Sequence, residues 1–209
     1  MRANFHSELM PLDKQSVYEI PYPFRGNLIK QPINRLMASF LFYKNRIANQ
    51  TLENYVRFFY PLDQIRHWSK FYGKQGMYQF QCVIPYQHRL EGMQILLKQI
   101  QQSGLGGFVS VLKTFSKLTS PGLLSFPMHG VTLAVDFAAN DSVRQLIASL
   151  TENVIEMGGR IYTAKDALMT AGSFQASYPG LKQFMVHRDP GMSSLQRNSL
   201  SFNTSIYAR

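Results

Sequence analysis

From Tyr78 onward the apolar residues of this chain fall into two alternating periods. Tyr78 to Ile84 alternates residue by residue, the signature of a strand with one buried face. Gln87 to Gln102 carries Leu90, Met93, Leu97 and Ile100 at helical spacing and ends before Gly104. Phe108 to Phe115 and Val131 to Phe137 predict two further strands, linked by a connection that Pro121-Gly122 and His129-Gly130 bracket. Asn140-Asp141-Ser142 is a helix N-cap signature, and Val143, Leu146, Ile147, Leu150, Val154 and Met157 follow on one stripe. Gly158-Gly159 stops that helix, and Arg160 to Tyr162 is a short last strand.

The order β-α-β-β-α-β predicts an α+β fold: a ferredoxin-like antiparallel sheet over about residues 78–162, with both helices on one face. The first third is different. Pro11, Pro21, Pro23 and Pro32 predict an irregular N-terminal arm. Within it, Asn34 to Arg46 has helical spacing at Leu36, Phe40 and Tyr43. Asn49 to Phe59 is rich in β-branched and aromatic residues and predicts a strand. Pro61-Leu62-Asp63 is expected to open a short helix with Ile65 and Trp68 one turn apart. A mainly helical tail follows the sheet.

Alternation also sorts side chains between the two sheet faces. Phe80, Cys82 and Ile84, with Val131, Leu133, Val135 and Phe137, are expected to meet the helices. The second strand is apolar on both sides, and Lys113 decides it, because an unpaired ammonium in a core costs several kcal/mol. Phe108, Ser110 and Leu112 therefore go to the core. The helix-free face receives Gln79, Gln81, Val109, Val111, Lys113, Phe115, Thr132 and Asp136. A solvated face would carry more charge and a buried one would be more apolar. Amide, ammonium and valine together suit a ligand wall covered by something else, although an ordinary half-exposed sheet has a similar composition.

Composition narrows the chemistry. The 209 residues carry a net charge of +10, with 45% hydrophobic, 13% aromatic and 16% charged residues. That allows a packed core, excludes a coiled coil, and points to an anionic partner: phosphate, nucleic acid or a membrane surface. The lone cysteine, Cys82, excludes an intramolecular disulfide and a multi-cysteine metal site. A reducing, cytoplasmic location is expected; no apolar run approaches the roughly 20 residues of a spanning helix, and peripheral membrane contact stays open. His6, His67, His88, His129 and His187 lack metal-ligand spacing, and no nucleophile-elbow or phosphate-loop signature occurs. Gly104-Leu105-Gly106-Gly107 reads as a turn. A sheet of this topology is also used to bind RNA, and Gly107-Phe108-Val109 echoes part of that motif, so a non-catalytic module for RNA or a small ligand is the alternative reading.

Three stretches carry a family resemblance. They are Phe58-Phe59-Tyr60-Pro61-Leu62-Asp63 with Trp68, Tyr72-Gly73 and Gly76; Tyr78-Gln79-Phe80-Gln81-Cys82-Val83-Ile84-Pro85; and Gly158-Gly159-Arg160-Ile161-Tyr162-Thr163-Ala164-Lys165-Asp166. Lys113, Leu124-Ser125-Phe126-Pro127 and Val135-Asp136-Phe137 lie between them in the same order. Over about Pro21 to Pro190 the chain resembles the C-terminal part of FAD-linked oxidases of the vanillyl-alcohol-oxidase superfamily. The nearest branch acts on polyprenyl-phosphate sugars, and the arabinonolactone and other aldonolactone oxidases are more distant.

The resemblance implies a cap or substrate domain over residues 1–157 and a segment over 158–209 that returns to a separate FAD-binding domain, whose glycine segment is not seen before Met1. It implies oxidation of a sugar or polyprenyl-phosphate sugar hydroxyl by hydride transfer to flavin, and a chain that alone neither holds FAD nor turns over. Its partners would be the FAD-binding domain, the sugar substrate and, in one arrangement, a reductase; no nucleic acid is expected. The match puts Phe59, Gln79, Gln81, Val109, Val111, Phe115, Thr132 and Tyr162 on the substrate side. Gln81, Lys113, Tyr162 and Lys165 would face the cofactor, with Lys113 and Lys165 as the candidate catalytic residues. Phe59 stands where the family usually has Tyr, and Thr132 and Ala134 where its nearest members carry Asn and Cys. A lysine near the flavin would stabilise negative charge on the reduced ring. Either lysine could instead hold a substrate phosphate, or be an ordinary solvated surface residue.

Overall fold

The computed structural model describes residues 65–189 apart from 106, 108, 166, 167 and 188, together with Tyr18–Glu19 and Leu36, Ser39, Phe40, Phe42 and Tyr43 of the N-terminal third. Those five residues are helical, as the spacing of Leu36, Phe40 and Tyr43 predicts. The predicted strand over Asn49–Phe59, with Phe59 itself, lies outside the described residues, as does Phe108. Two short strands, β1 (Tyr18–Glu19) and β2 (Ile65–Arg66), pair in parallel. Ile65 is therefore in a strand, not in the short helix expected after Pro61. The helical turn comes later, as a 3₁₀ segment over Trp68–Tyr72 entered through His67 in the left-handed conformation. That entry bends the chain out of β2, so Ile65 and Trp68 do not share one helix face.

The centre of the structure is a four-stranded antiparallel sheet. Its strands are β3 (Met77–Pro85), β4 (Ser110–Phe115), β5 (Gly130–Ala138) and β6 (Arg160–Ile161), in spatial order β4-β5-β3-β6. Helix α1 (Arg89–Ser103) joins β3 to β4, and α2 (Asp141–Glu156) joins β5 to β6. β3 and β5 pair along their whole lengths, from Met77 opposite Ala138 to Pro85 opposite Gly130. Phe80, Cys82 and Ile84 thereby share a face with Leu133, Val135 and Phe137. On that face they pack against Met93 and Leu96 of α1 and Val143, Leu146, Ile147, Leu150 and Val154 of α2. Burial drives the Cys82 thiol up to about 12, so it is a core group rather than a nucleophile.

Local chemistry fixes the helix ends. Asn140 Oδ1 accepts from the Val143 backbone N–H at 2.9 Å, the predicted N-cap. Gly104 and Gly158 end the two helices with φ of 71° and 70°. Gly159 meets a different demand: a Cβ there would stand 2.5 Å from the Val83 carbonyl oxygen and 2.7 Å from the Val154 side chain. The absence of a side chain lets the chain leave α2 and lie against β3. Across the two helices, Gln99 donates to Ser149 at 2.6 Å and accepts from Asn153 at 2.8 Å.

Four expected core positions, Leu90, Leu97, Ser110 and Leu112, are not core. The stripe of α1 is rotated: Gly92, Met93 and Leu96 are buried, while Leu90 and Leu97 are exposed. A Cβ on Gly92 would lie 2.9 Å from Ile84, so the helix approaches the sheet along that glycine and turns Leu90 and Leu97 aside. Ser110 and Leu112 point to the helix side of the outer strand β4, yet both are exposed, Leu112 by 58%. The helices pack over β3, β5 and β6 and leave β4 uncovered.

Beyond β6, short helices α3 (Ala171–Ser177) and α4 (Leu181–Val186) bury Phe174, Tyr178 and Leu181 against Leu124 and Met169. The Tyr178 hydroxyl donates to the Ile161 carbonyl at 2.6 Å and ties this segment to β6; burial raises its phenol to about 12. Among the described residues no helix is long and apolar enough to cross a membrane.

Leu150→Ala should lower stability by about 2–5 kcal/mol, because Leu150 is wholly enclosed, whereas Leu97→Ala should cost under about 0.5 kcal/mol. Thermal unfolding of both variants checks the rotation of the α1 stripe.

Candidate ligand-binding face of the sheet

Antiparallel register places the residues of the helix-free face in rows. One row runs Lys113, Thr132, Val83, Arg160; the next runs Val111, Ala134, Gln81. The Tyr162 backbone N–H donates to the Gln81 carbonyl at 2.8 Å and extends that second row past β6. A third row pairs Asp136 with Gln79, and the Asp136 N–H donates to the Val109 carbonyl at 3.1 Å. Gln79, Gln81, Val109, Val111, Lys113, Thr132 and Tyr162 therefore share one face, with Phe115 at its end; alternation predicts all of these except Tyr162, which only the resemblance implies. Lys113 is exposed, Thr132 buried, and the other six half-buried. Phe59 lies outside the described residues.

One end of this face is closed. The connection from Ser116 to His129 turns back so that Phe126 lies against Phe115 of β4 and against Tyr162, with ring centroids 6.0 and 4.7 Å apart. β4 and β6 are the outer strands, so a ring touching both sides lies above β5 and β3. Arg160 donates to the Ser125 carbonyl at 2.7 Å and fastens the connection. Val83 and Thr132, beneath, are almost wholly buried. The aromatic rings of the face are thus packed on one another rather than displayed. Sequence reasoning gave neither Phe126 nor Arg160 a role in shaping it. The Leu124–Pro127 stretch that carries the resemblance was the available signal.

The open part of the face is polar. Gln81 donates from its amide to Thr132 Oγ1 at 3.3 Å, which fixes its side chain across the sheet. Asp136 is 2% exposed in the third row. Burial raises its carboxyl above the usual carboxylate range, while a hydrogen bond from Gln79 and the charge of Lys165 partly offset this. Lys165 is exposed in the turn after Tyr162, where its N–H donates to the Tyr162 carbonyl at 3.2 Å. The two candidate lysines therefore do not stand together: Lys113 rises from the outer strand and Lys165 belongs to the far edge, near Asp136. Gly107 completes this corner, since a Cβ there would collide with the Asp136 backbone carbonyl. No group of three His, Cys, Asp or Glu side chains among the described residues could hold a metal ion.

The buried carboxyl sets a pH dependence. A folded-state pKa above the unfolded value means that the folded protein binds the extra proton. The associated stability is complete below the unfolded value, near 3.8, and is lost as pH rises through the raised folded value. Asp136→Asn should match wild type in acid and become the more stable protein as pH rises, which melting temperatures across pH will read.

No protein-family model matches the chain. It is 35% identical over 143 residues, 68% of its length, to the decaprenylphosphoryl-β-D-ribose oxidase of Mycolicibacterium smegmatis, of which it covers 30%. It is 30% identical over 112 residues, 53% of its length, to a Streptomyces coelicolor protein described as an uncharacterized protein in the mprA 5′ region, again covering 30% of it. The chain spans about a third of the length of these curated relatives. It is a relative of part of an oxidase.

Proposed function

We propose that this chain is the substrate-binding part of an FAD-dependent oxidoreductase that oxidises a hydroxyl of a sugar or of a polyprenyl-phosphate sugar. The observation that carries the reading is the 35% identity to an enzyme named for a phosphoryl-ribose substrate. The mixed polar face supports it. In this reading residues 1–157 form the cap, with a ferredoxin-like unit at its centre, and residues 158–209 return to a flavin-binding domain. That domain and the sugar are the partners, and the protein works in the cytoplasm or at a membrane surface.

The residue types suit a flavin laid over the open rows. Gln81 is held by Thr132 with its carbonyl oxygen still available, Tyr162 lies at the row's end, and Asp136 has a buried oxygen without a partner among the described residues. Gln81, Lys113, Tyr162 and Lys165 would hold the cofactor, which when bound supplies a hydride acceptor. Val109, Val111 and Phe115 would exclude water from the reacting hydroxyl, and Gln79, Thr132 and Phe59 would orient the sugar. Lys113 and Lys165 supply positive charge from opposite sides of the face, suited to a developing anion on one side and a substrate phosphate on the other. The packing of Phe126 against Phe115 and Tyr162 favours this reading over an RNA module, which needs free rings for base stacking.

Lys113→Ala in the complete oxidase should lower turnover by roughly a hundredfold. Its melting temperature should barely change, because the side chain is exposed. A large drop in melting temperature would mark a structural residue. The purified 209-residue chain should show no stoichiometric flavin absorbance; a retained yellow cofactor would refute the dependence on a second domain.

A further inference from the structure

Asp136 is the one acidic residue of the nine in β5, and its neighbours in sequence, Val135 and Phe137, are buried in the core. Its own side chain points to the opposite face, in register with Gln79. It is 2% exposed, and its Oδ2 has no hydrogen-bond partner among the described residues. A buried carboxylate oxygen left without a donor is costly, and one that persists calls for a missing partner. Three features define that partner. Gln79 already holds the carboxyl, so the geometry is set in advance. The charge of Lys165 acts on the same group and Lys113 stands on the same face, so a cation would meet repulsion. Asp136 belongs to no group of three His, Cys, Asp or Glu side chains that could hold a metal ion among the described residues. A neutral hydroxyl meets all three conditions.

We propose that Asp136 is a binding residue for the sugar part of the ligand, accepting a hydrogen bond from a ring hydroxyl at Oδ2 while Gln79 fixes the carboxyl. This rests on the sugar-oxidase reading and adds a residue to it. Lys165 and Lys113 are left for the phosphate and the reacting centre. Gly107 is part of the same device, because only a residue without a Cβ lets the chain approach the Asp136 backbone.

The test is calorimetric titration of the full chain, wild type and Asp136→Asn, with farnesylphosphoryl-β-D-ribose and with farnesyl phosphate, which lacks the sugar. The expected result is about tenfold weaker binding of the ribosyl probe by Asp136→Asn and unchanged binding of farnesyl phosphate. Equal affinity of the two proteins for the ribosyl probe, or equal weakening for both probes, overturns the role of Asp136 and leaves the sugar-oxidase reading standing. Wild-type protein that binds neither probe, or binds both alike, overturns both. Should Asp136→Asn fail to fold, wild type carrying ¹³C-carboxyl aspartate decides the matter: saturation with the ribosyl probe, and not with farnesyl phosphate, must shift the Asp136 carboxyl resonance.

Discussion

The nine-residue antiparallel pairing of β3 with β5 is the constraint on which the described structure depends. It fixes at once which side chains enter the core and which stand on the other face, because the two faces of a sheet alternate in strict register. Phe80 and Val135 go to the helices for the same reason that Gln79 and Asp136 do not. A slip of one residue would exchange the two sets, burying two glutamines and exposing the core. The polar face is thus held in place by the hydrophobic one, and its side chains keep their geometry through the core residues that alternate with them.

Much of this was legible in the sequence. Period-two alternation in Tyr78–Ile84 and Val131–Phe137 gave the faces correctly, and the single charge of Lys113 oriented a strand whose apolar pattern was ambiguous. The Asn140 cap and the stripe from Val143 to Val154 fixed α2. Failures came where tertiary geometry overrides local pattern. Leu90 and Leu97 have acceptable helical spacing, but the close approach at Gly92 rotates α1 away from them. Leu112 has the right parity for the core, yet sits on an outer strand that the helices do not reach. Ile65 followed a proline that reads as a helix start, but pairs with Tyr18 far away in sequence.

The candidate face was legible as a set and illegible as a site. Alternation collected Gln79, Gln81, Lys113 and Asp136 without saying that Lys113 and Lys165 lie at opposite sides, or that Phe126 closes one end. That closure depends on Arg160 reaching Ser125, a contact between residues 35 positions apart that no periodicity announces. Asp136 was placed on the face and given no task, since burial without a partner is a property of the assembled sheet.

The position of β4 has a consequence for the molecule as a whole. Among the described residues nothing pairs with its outer side, and Leu112 adds apolar surface beside those open backbone groups. Such a margin is a template onto which a second copy could add its own strand. The ammonium of Lys113 at mid-strand opposes that by setting like charges against each other whenever two such margins meet. One side chain can thus serve both solubility and chemistry, and variants that neutralise it would have to be judged for self-association before any loss of turnover is read as catalytic.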